Sequence, residues 1–238
     1  MQGRSVFGGL QTAFALQAMR ALVPSVPLRT LQTTFIAPVS GSMHARARIL
    51  RQGKNVTHVE ARIGDDASPQ ALVVGAFGAA RSSAVSRTVV QPAVEVDPTK
   101  VVALPLGKRV ENGPHFSSHF GVKWLRGRPP FTGDRTPNHV LEVAIDDDGA
   151  ATEAHLVAIA DYPPPVGLSY LEAAAPGSTL TWMLQLLVDD LTGILLSDFR
   201  LDLEMVAARD GYTSQSVTIY APDGTAVALS HQSMLVFG

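Results

Sequence analysis

Hydrophobic and polar positions mark out a buried helix followed by strands, and then do so a second time further along the chain. Residues 10–23 are apolar at almost every position apart from Gln11, Thr12, Gln17 and Arg20, and the run opens on Gly8-Gly9 and closes at Pro24. A helix apolar nearly all round belongs in a core. Strand-like runs follow at 28–37, 42–50, 55–63 and 70–80. Of these, Val56-Thr57-His58-Val59-Glu60-Ala61-Arg62 alternates with the period of two of a half-buried strand. Pro38 and Gly41, Gln52-Gly53, and residues 65–69 supply the turns.

Residues 81–114 break this rhythm. Ser82, Ser83 and Ser86, then Pro92, Pro98, Pro105 and Pro114, punctuate short Val-rich pieces, which predicts an extended linker over the surface. Beyond it, strands are expected at 115–124 and 139–145 and a helix at 152–161. Pro163-Pro164-Pro165 ends that helix by removing N–H donors and excluding helical backbone before each proline. Strands at 178–188, 199–207, 213–220 and 225–237 complete the pattern, with Asp223-Gly224 as the hairpin turn between the last two.

The two halves repeat one another. RQGKNVTHVEARIGDDASPQALVVGAFG (51–78) and RDGYTSQSVTIYAPDGTAVALSHQSMLVFG (209–238) share a basic residue two before Gly, an alternating strand, an acidic turn, an apolar strand and a final Phe-Gly. A period this long excludes a solenoid and indicates two fused copies of one α+β unit. The boundaries are 1–80 for the first half, 81–114 for the linker and 115–238 for the second. The second half has two strands before its helix and the first has none. Either the chain starts late relative to a complete unit, or a neighbouring subunit completes the first sheet.

Composition narrows the classes. Hydrophobic residues make up 46% and charged residues 17%, enough for a sizeable core. A net charge of −2 leaves no basic surplus for nucleic acid. With no cysteine there is no disulfide, thiolate nucleophile or Cys-ligated metal, which fits a cytoplasmic setting. No apolar run reaches the ~20 residues of a membrane span, and the first residues lack a signal-peptide pattern.

Several stretches resemble the acyl-CoA thioesterase II (TesB-like) family of double-hotdog proteins. Ser5-Val6-Phe7-Gly8-Gly9 is similar to the family's V-F-G-G-Q at the start of its first helix. Thr33-Thr34-Phe35-Ile36-Ala37-Pro38 resembles its S-Y-F-L-R-P strand, and Arg51-Gln52-Gly53-Lys54 its R-D-G-x-S-F turn. Residues 223–232, DGTAVALSHQ, resemble D-G-x-L-V-A-S-x-x-Q. The resemblance implies an α+β double hotdog, each unit a helix wrapped by an antiparallel sheet. It also implies hydrolysis of acyl-CoA, no cofactor and a homo-oligomer that covers exposed sheet edges. In that family an Asp, a Thr or Ser and a Gln hold the attacking water. The resemblance carries the Asp to Asp161, the Gln to Gln232 and the hydroxyl to Thr179 or Thr181, with Trp182 where the family has His. Aligning the two copies on Phe-Gly sets Gln232 opposite Leu72, so only the second half carries the polar set.

The residues are chemically suited to these roles. A carboxylate with a raised pKa can act as general base on water. Asp161, in the last turn of an apolar helix, meets both the unfavourable end of the helix dipole and desolvation. Gln232 and a threonine hydroxyl can each donate and accept. Phe7-Gly8-Gly9 is a candidate substrate-binding stretch, since glycine lets backbone N–H groups approach an oxyanion. The plainer alternatives are that Asp161 is a helix-end turn residue, that Gln232 faces solvent and that both threonines only build a strand. A non-catalytic hotdog that binds an acyl group or CoA is the rival function. His115 and His119 have a zinc-like spacing but a strand-like context without a nearby carboxylate, so no metal is expected. His155 and Asp161 do not share a helix face, which argues against a His-based hydratase.

Overall fold

The computed structural model describes residues 5–65, 67–108 and 113–238. Asp66 of the first acidic turn and 109–112 of the linker lie outside the described residues.

The first half contributes α1 (Gly8–Arg20), β1 (Leu28–Phe35), β2 (Ala45–Gln52), β3 (Val56–Asp65) and β4 (Ser68–Gly78). The second contributes β5 (Val102–Leu104), β6 (Phe120–Arg126), β7 (Asn138–Ile145), α2 (Glu153–Asp161), β8 (Gly177–Leu186), β9 (Phe199–Arg209), β10 (Tyr212–Tyr220) and β11 (Ala226–Val236). All strands join one antiparallel sheet in the order β2-β3-β4-β1-β8-β11-β10-β9-β7-β6-β5. The halves fuse where β1 pairs with β8, through Leu31↔Leu184 and Thr33↔Trp182. The sheet wraps the two helices, and the core lies between them: Leu31, Val73, Phe77, Leu184, Leu201 and Ile219 from the strands meet Leu16, Met19, Leu156 and Ile159 from the helices.

Three local expectations are corrected. Residues 115–119 form a 3-10 turn, and the strand starts only at Phe120. The linker is not wholly irregular, because β5 within it pairs with β6 and becomes an edge of the sheet. Three strands therefore precede α2.

The third concerns α1. Leu10 is 54% exposed, whereas Gln11 and Thr12 are buried. Two of the polar side chains of this apolar helix, Gln11 and Thr12, point inward, whereas Gln17 is exposed. Thr12 Oγ1 meets Thr33 Oγ1 of β1 at 3.3 Å, which satisfies both hydroxyls inside the core.

Helix ends are set by local chemistry. Thr152 caps α2: its hydroxyl accepts from His155 N–H, and the His155 ring accepts in return from Thr152 N–H. The same ring bonds Asp147 at 3.0 Å, so His155 serves the end of α2 opposite Asp161. After Tyr162, Pro163 through Pro165 lead into a 3-10 turn whose first N–H, at Val166, donates to the Gln215 side chain at 2.8 Å.

Candidate active site

The two helices lie against each other with opposed ends adjacent. The start of α1 meets the end of α2 at Asp161, and the end of α1 meets the start of α2, where Arg20 pairs with Glu153. Glycine permits the first contact. A Cβ on Gly9 would lie 3.1 Å from the Ala158 Cα and 2.7 Å from the Phe7 ring; one on Gly8 would lie 2.8 Å from Asp161 Oδ2. A larger residue at position 9 would push the helices apart beside the carboxylate, because backbone stands in its way.

Asp161 is held by two donors. Gln232 Nε2 donates to Oδ1 at 2.8 Å, and the Gly9 backbone N–H reaches the carboxylate from the first turn of α1. Burial nevertheless dominates. Desolvation raises the Asp161 pKa to about 7, against the lowering by the Gly9 N–H and the Gln232 amide. A carboxyl poised near neutrality can exchange a proton with water at ordinary pH.

A cavity of about 240 Å³ opens beside this carboxylate. Asp161, Gly8, Gln11, Thr179, Phe35 and Leu180 are among its lining residues. Exposed Ile36, Pro38 and Ser178 lie at its rim. Polar groups thus gather on the helix side and at β8, and apolar groups along the end of β1.

The structure sorts the sequence candidates. Asp161, Thr179 and Gly8 share the cavity. Gln232 is buried behind Asp161 and touches the site through it. Gly9 acts through its backbone. Phe7 does not line the cavity; its ring is buried and stacks on Phe116 at 4.0 Å between centroids.

Thr179 and Thr181 do not share a face, contrary to the two-residue period of an unbroken strand. Ser233↔Thr181 is followed by Met234↔Thr179, so a bulge lies between them and flips the parity. Thr179 sits opposite buried Met234, while Thr181 is exposed beside exposed Thr34. The repeat alignment is also out of phase. Leu72 sits opposite exposed Thr34 on the outer face, and the inward residues of β4 are Ala71 and Val73.

Two residues were missed from sequence. Gln11 lines the cavity, with its Nε2 donating to Val6 O at 2.7 Å. Gln215, directly across the β10–β11 ladder from Gln232, anchors the turn after α2. Glutamines on an apolar helix and an alternating strand give little signal, since most glutamines are exposed. Among the described residues no group of three or more His, Asp or Glu is arranged to hold a metal, and no helix is long and apolar enough to cross a membrane. Trp182 and Trp124 are core residues, Trp182 donating to Ser230 Oγ at 2.8 Å.

Fold and site together define a double-hotdog protein with one polar pocket where its two helices meet. Known proteins agree: residues 1–92 match the acyl-CoA thioesterase N-terminal domain and residues 94–236 match the acyl-CoA thioesterase C-terminal domain. The chain belongs to the acyl-CoA thioesterase family.

Among solved structures, it is similar to a hot dog fold protein of unknown function from Alicyclobacillus acidocaldarius, with TM-score 0.83 and 20% identity over 99% of this chain and 88% of that one. It is also similar to a putative thioesterase II from Thermobifida fusca, with TM-score 0.77 and 19% identity over 100% and 89% of the two chains. A third is the acyl-CoA thioesterase II TesB2 of Mycobacterium marinum, with TM-score 0.73 and 14% identity over 97% and 89%. At these identities the structural likeness speaks for the fold. No curated protein matches the sequence significantly.

Proposed function

We propose that this protein hydrolyses acyl-CoA thioesters to free acid and CoA, with Asp161 as general base. The observation that carries the reading is the Asp161 carboxyl, brought to about pH 7 by burial and fixed by Gln232 and Gly9 at the wall of a cavity. Water between Asp161 and Thr179 attacks the thioester carbonyl carbon, and its proton passes to Asp161. The oxyanion is met by the Gly8 N–H, which has no intrahelical acceptor in the first turn of α1. Collapse of the tetrahedral species breaks the C–S bond, and the proton returns from Asp161 to the departing CoA sulfur. Gln232 orients the base and does not touch the water.

Assembly and location belong to the same reading. Among the described residues, strands β2 and β5 end the sheet with one unpaired side each. Pairing through these edges gives the homo-oligomer, and the setting is the cytoplasm.

Release of free thiol from acyl-CoAs tests the proposal, with wild type against Asp161→Asn and Gln232→Ala. Loss of at least about 100-fold in kcat for Asp161→Asn is expected of a general base. An active wild type with both variants unchanged would show that the site is elsewhere. CoA binding without turnover would favour a binding protein.

A further inference from the structure

We infer that Phe35 sets the length of the acyl group and that the pocket takes short-chain acyl thioesters, of about four to six carbons. This rests on the thioesterase reading of the same site.

The first observation is size. The cavity holds about 240 Å³, below the roughly 300–1,000 Å³ of ordinary small-molecule sites. A site this small beside the carboxylate suits a short chain.

The second observation is what stands at the end of β1. Phe35 ends β1 on its inner face, lines the cavity and packs against the core. Its ring edge lies 3.0 Å from where a Cβ on Gly8 would be, so it spans the gap between β1 and the first turn of α1. Deeper along the same gap, Thr12 and Thr33 join hydroxyl to hydroxyl across it.

Aromatic rings pack on the side past Asp161. Val6 and Gly8 line the cavity, but Phe7 between them turns away to stack on Phe116, and Phe120 stacks on Tyr162 at 4.4 Å. These four rings pack edge-to-face against one another as well. An acyl chain entering beside Asp161 therefore meets the Phe35 ring on one side and an aromatic block on the other.

The test is kcat/KM for the full chain on saturated acyl-CoAs from acetyl to palmitoyl, for wild type, Phe35→Leu and Phe35→Ala, with circular dichroism to confirm folding. Wild type should peak at about four to six carbons and fall about ten-fold or more by twelve. Phe35→Ala should move the peak longer by about two carbons or more, and Phe35→Leu by less in the same direction. A wild type that prefers twelve carbons or more overturns the inference, as does a folded Phe35→Ala with an unmoved profile.

Calorimetric binding of non-hydrolysable acyl-CoA thioethers to Asp161→Asn separates the two readings. Short-chain preference in binding, with no hydrolysis by wild type, would remove the enzymatic reading and sustain this one. No binding at any length removes both.

Discussion

Gln232 Nε2 donates to Asp161 Oδ1 at 2.8 Å, joining the last strand of the chain to the last turn of α2. Gln232 is 2% exposed and enters no solvent contact that would compete for its amide. Together with the Gly9 N–H it opposes desolvation, and the balance leaves the carboxyl at about 7. The proposed base is thus set by three groups from three elements: α1, α2 and β11.

Removing the amide should shift the balance toward desolvation. A hydrogen bond to a charged group is worth about 1.5–3 kcal/mol, or roughly one to two pKa units. In Gln232→Leu the acid limb of kcat/KM against pH should therefore move up from about 7 by about one unit or more. An unmoved limb in an active variant would show that Gln232 does not control the base.

Asp161 should also make stability depend on pH. Its folded pKa of about 7 lies above the unfolded value of ~3.9. Between these values the folded state keeps a proton that the unfolded state has released. Stability is therefore full below about pH 4 and declines as pH rises through about 7. Asp161→Asn removes that decline, so its melting temperature should exceed the wild type's by more at pH 8 than at pH 4.5. Discounted for partial exposure, the difference is on the order of 2 kcal/mol. Equal gaps at both pH values would contradict the raised pKa.

Much of this was readable in the chain. The alternation of 56–62 and the near-continuous apolar run of 10–23 each appear as a strand and a helix in the expected place. The repeat appears as two strand sets fused at β1 and β8. What the sequence concealed follows from tertiary context. An apolar helix does not say which face its few polar residues take, and here Gln11 and Thr12 face the pocket and β1 while Leu10 faces out. A bulge is invisible to a period-two reading, so Thr181 looked equivalent to Thr179. Phe35 reads as a strand residue, and its closeness to the first turn of α1 is something no local pattern encodes.

The glycine pair at the start of α1 separates stability from catalysis. In Gly9→Ala the new methyl meets the Phe7 ring at 2.7 Å and the Ala158 backbone at 3.1 Å. Backbone cannot yield as a flexible side chain can, so overpacking should cost about 1–3 kcal/mol. In Gly8→Ala the nearest atom is Asp161 Oδ2 at 2.8 Å, the end of a side chain that can swing away. Gly8→Ala should melt closer to wild type but lose activity more than its stability loss explains. Chemical denaturation and thiol release on both variants check the contrast, and it is refuted if Gly8→Ala keeps full kcat.

The far ends of the same helices carry a lock where the near ends carry the site. Arg20 bonds Glu153 through Nε at 2.8 Å and through Nη2 at 2.5 Å, and its Nη1 donates to the carbonyls of Val23 and Val26 at 2.9 and 2.6 Å. The guanidinium also lies 4.8 Å from the Phe77 ring centroid. Its charge complements the last turn of α1, and Glu153 the first turn of α2. Arg20→Met strips the partner from a half-buried carboxylate and frees the chain after α1. With both side chains about a quarter exposed, the loss should be about 2 kcal/mol rather than the 3–5 of a fully buried pair. Converting Glu153 to Leu in the same chain removes the unpaired charge and should restore part of that stability. Because the pair sits at the opposite helix ends from Asp161, kcat should stay within about two-fold of wild type in either variant. A large fall in kcat without loss of stability would mean that the two ends are coupled through the helices.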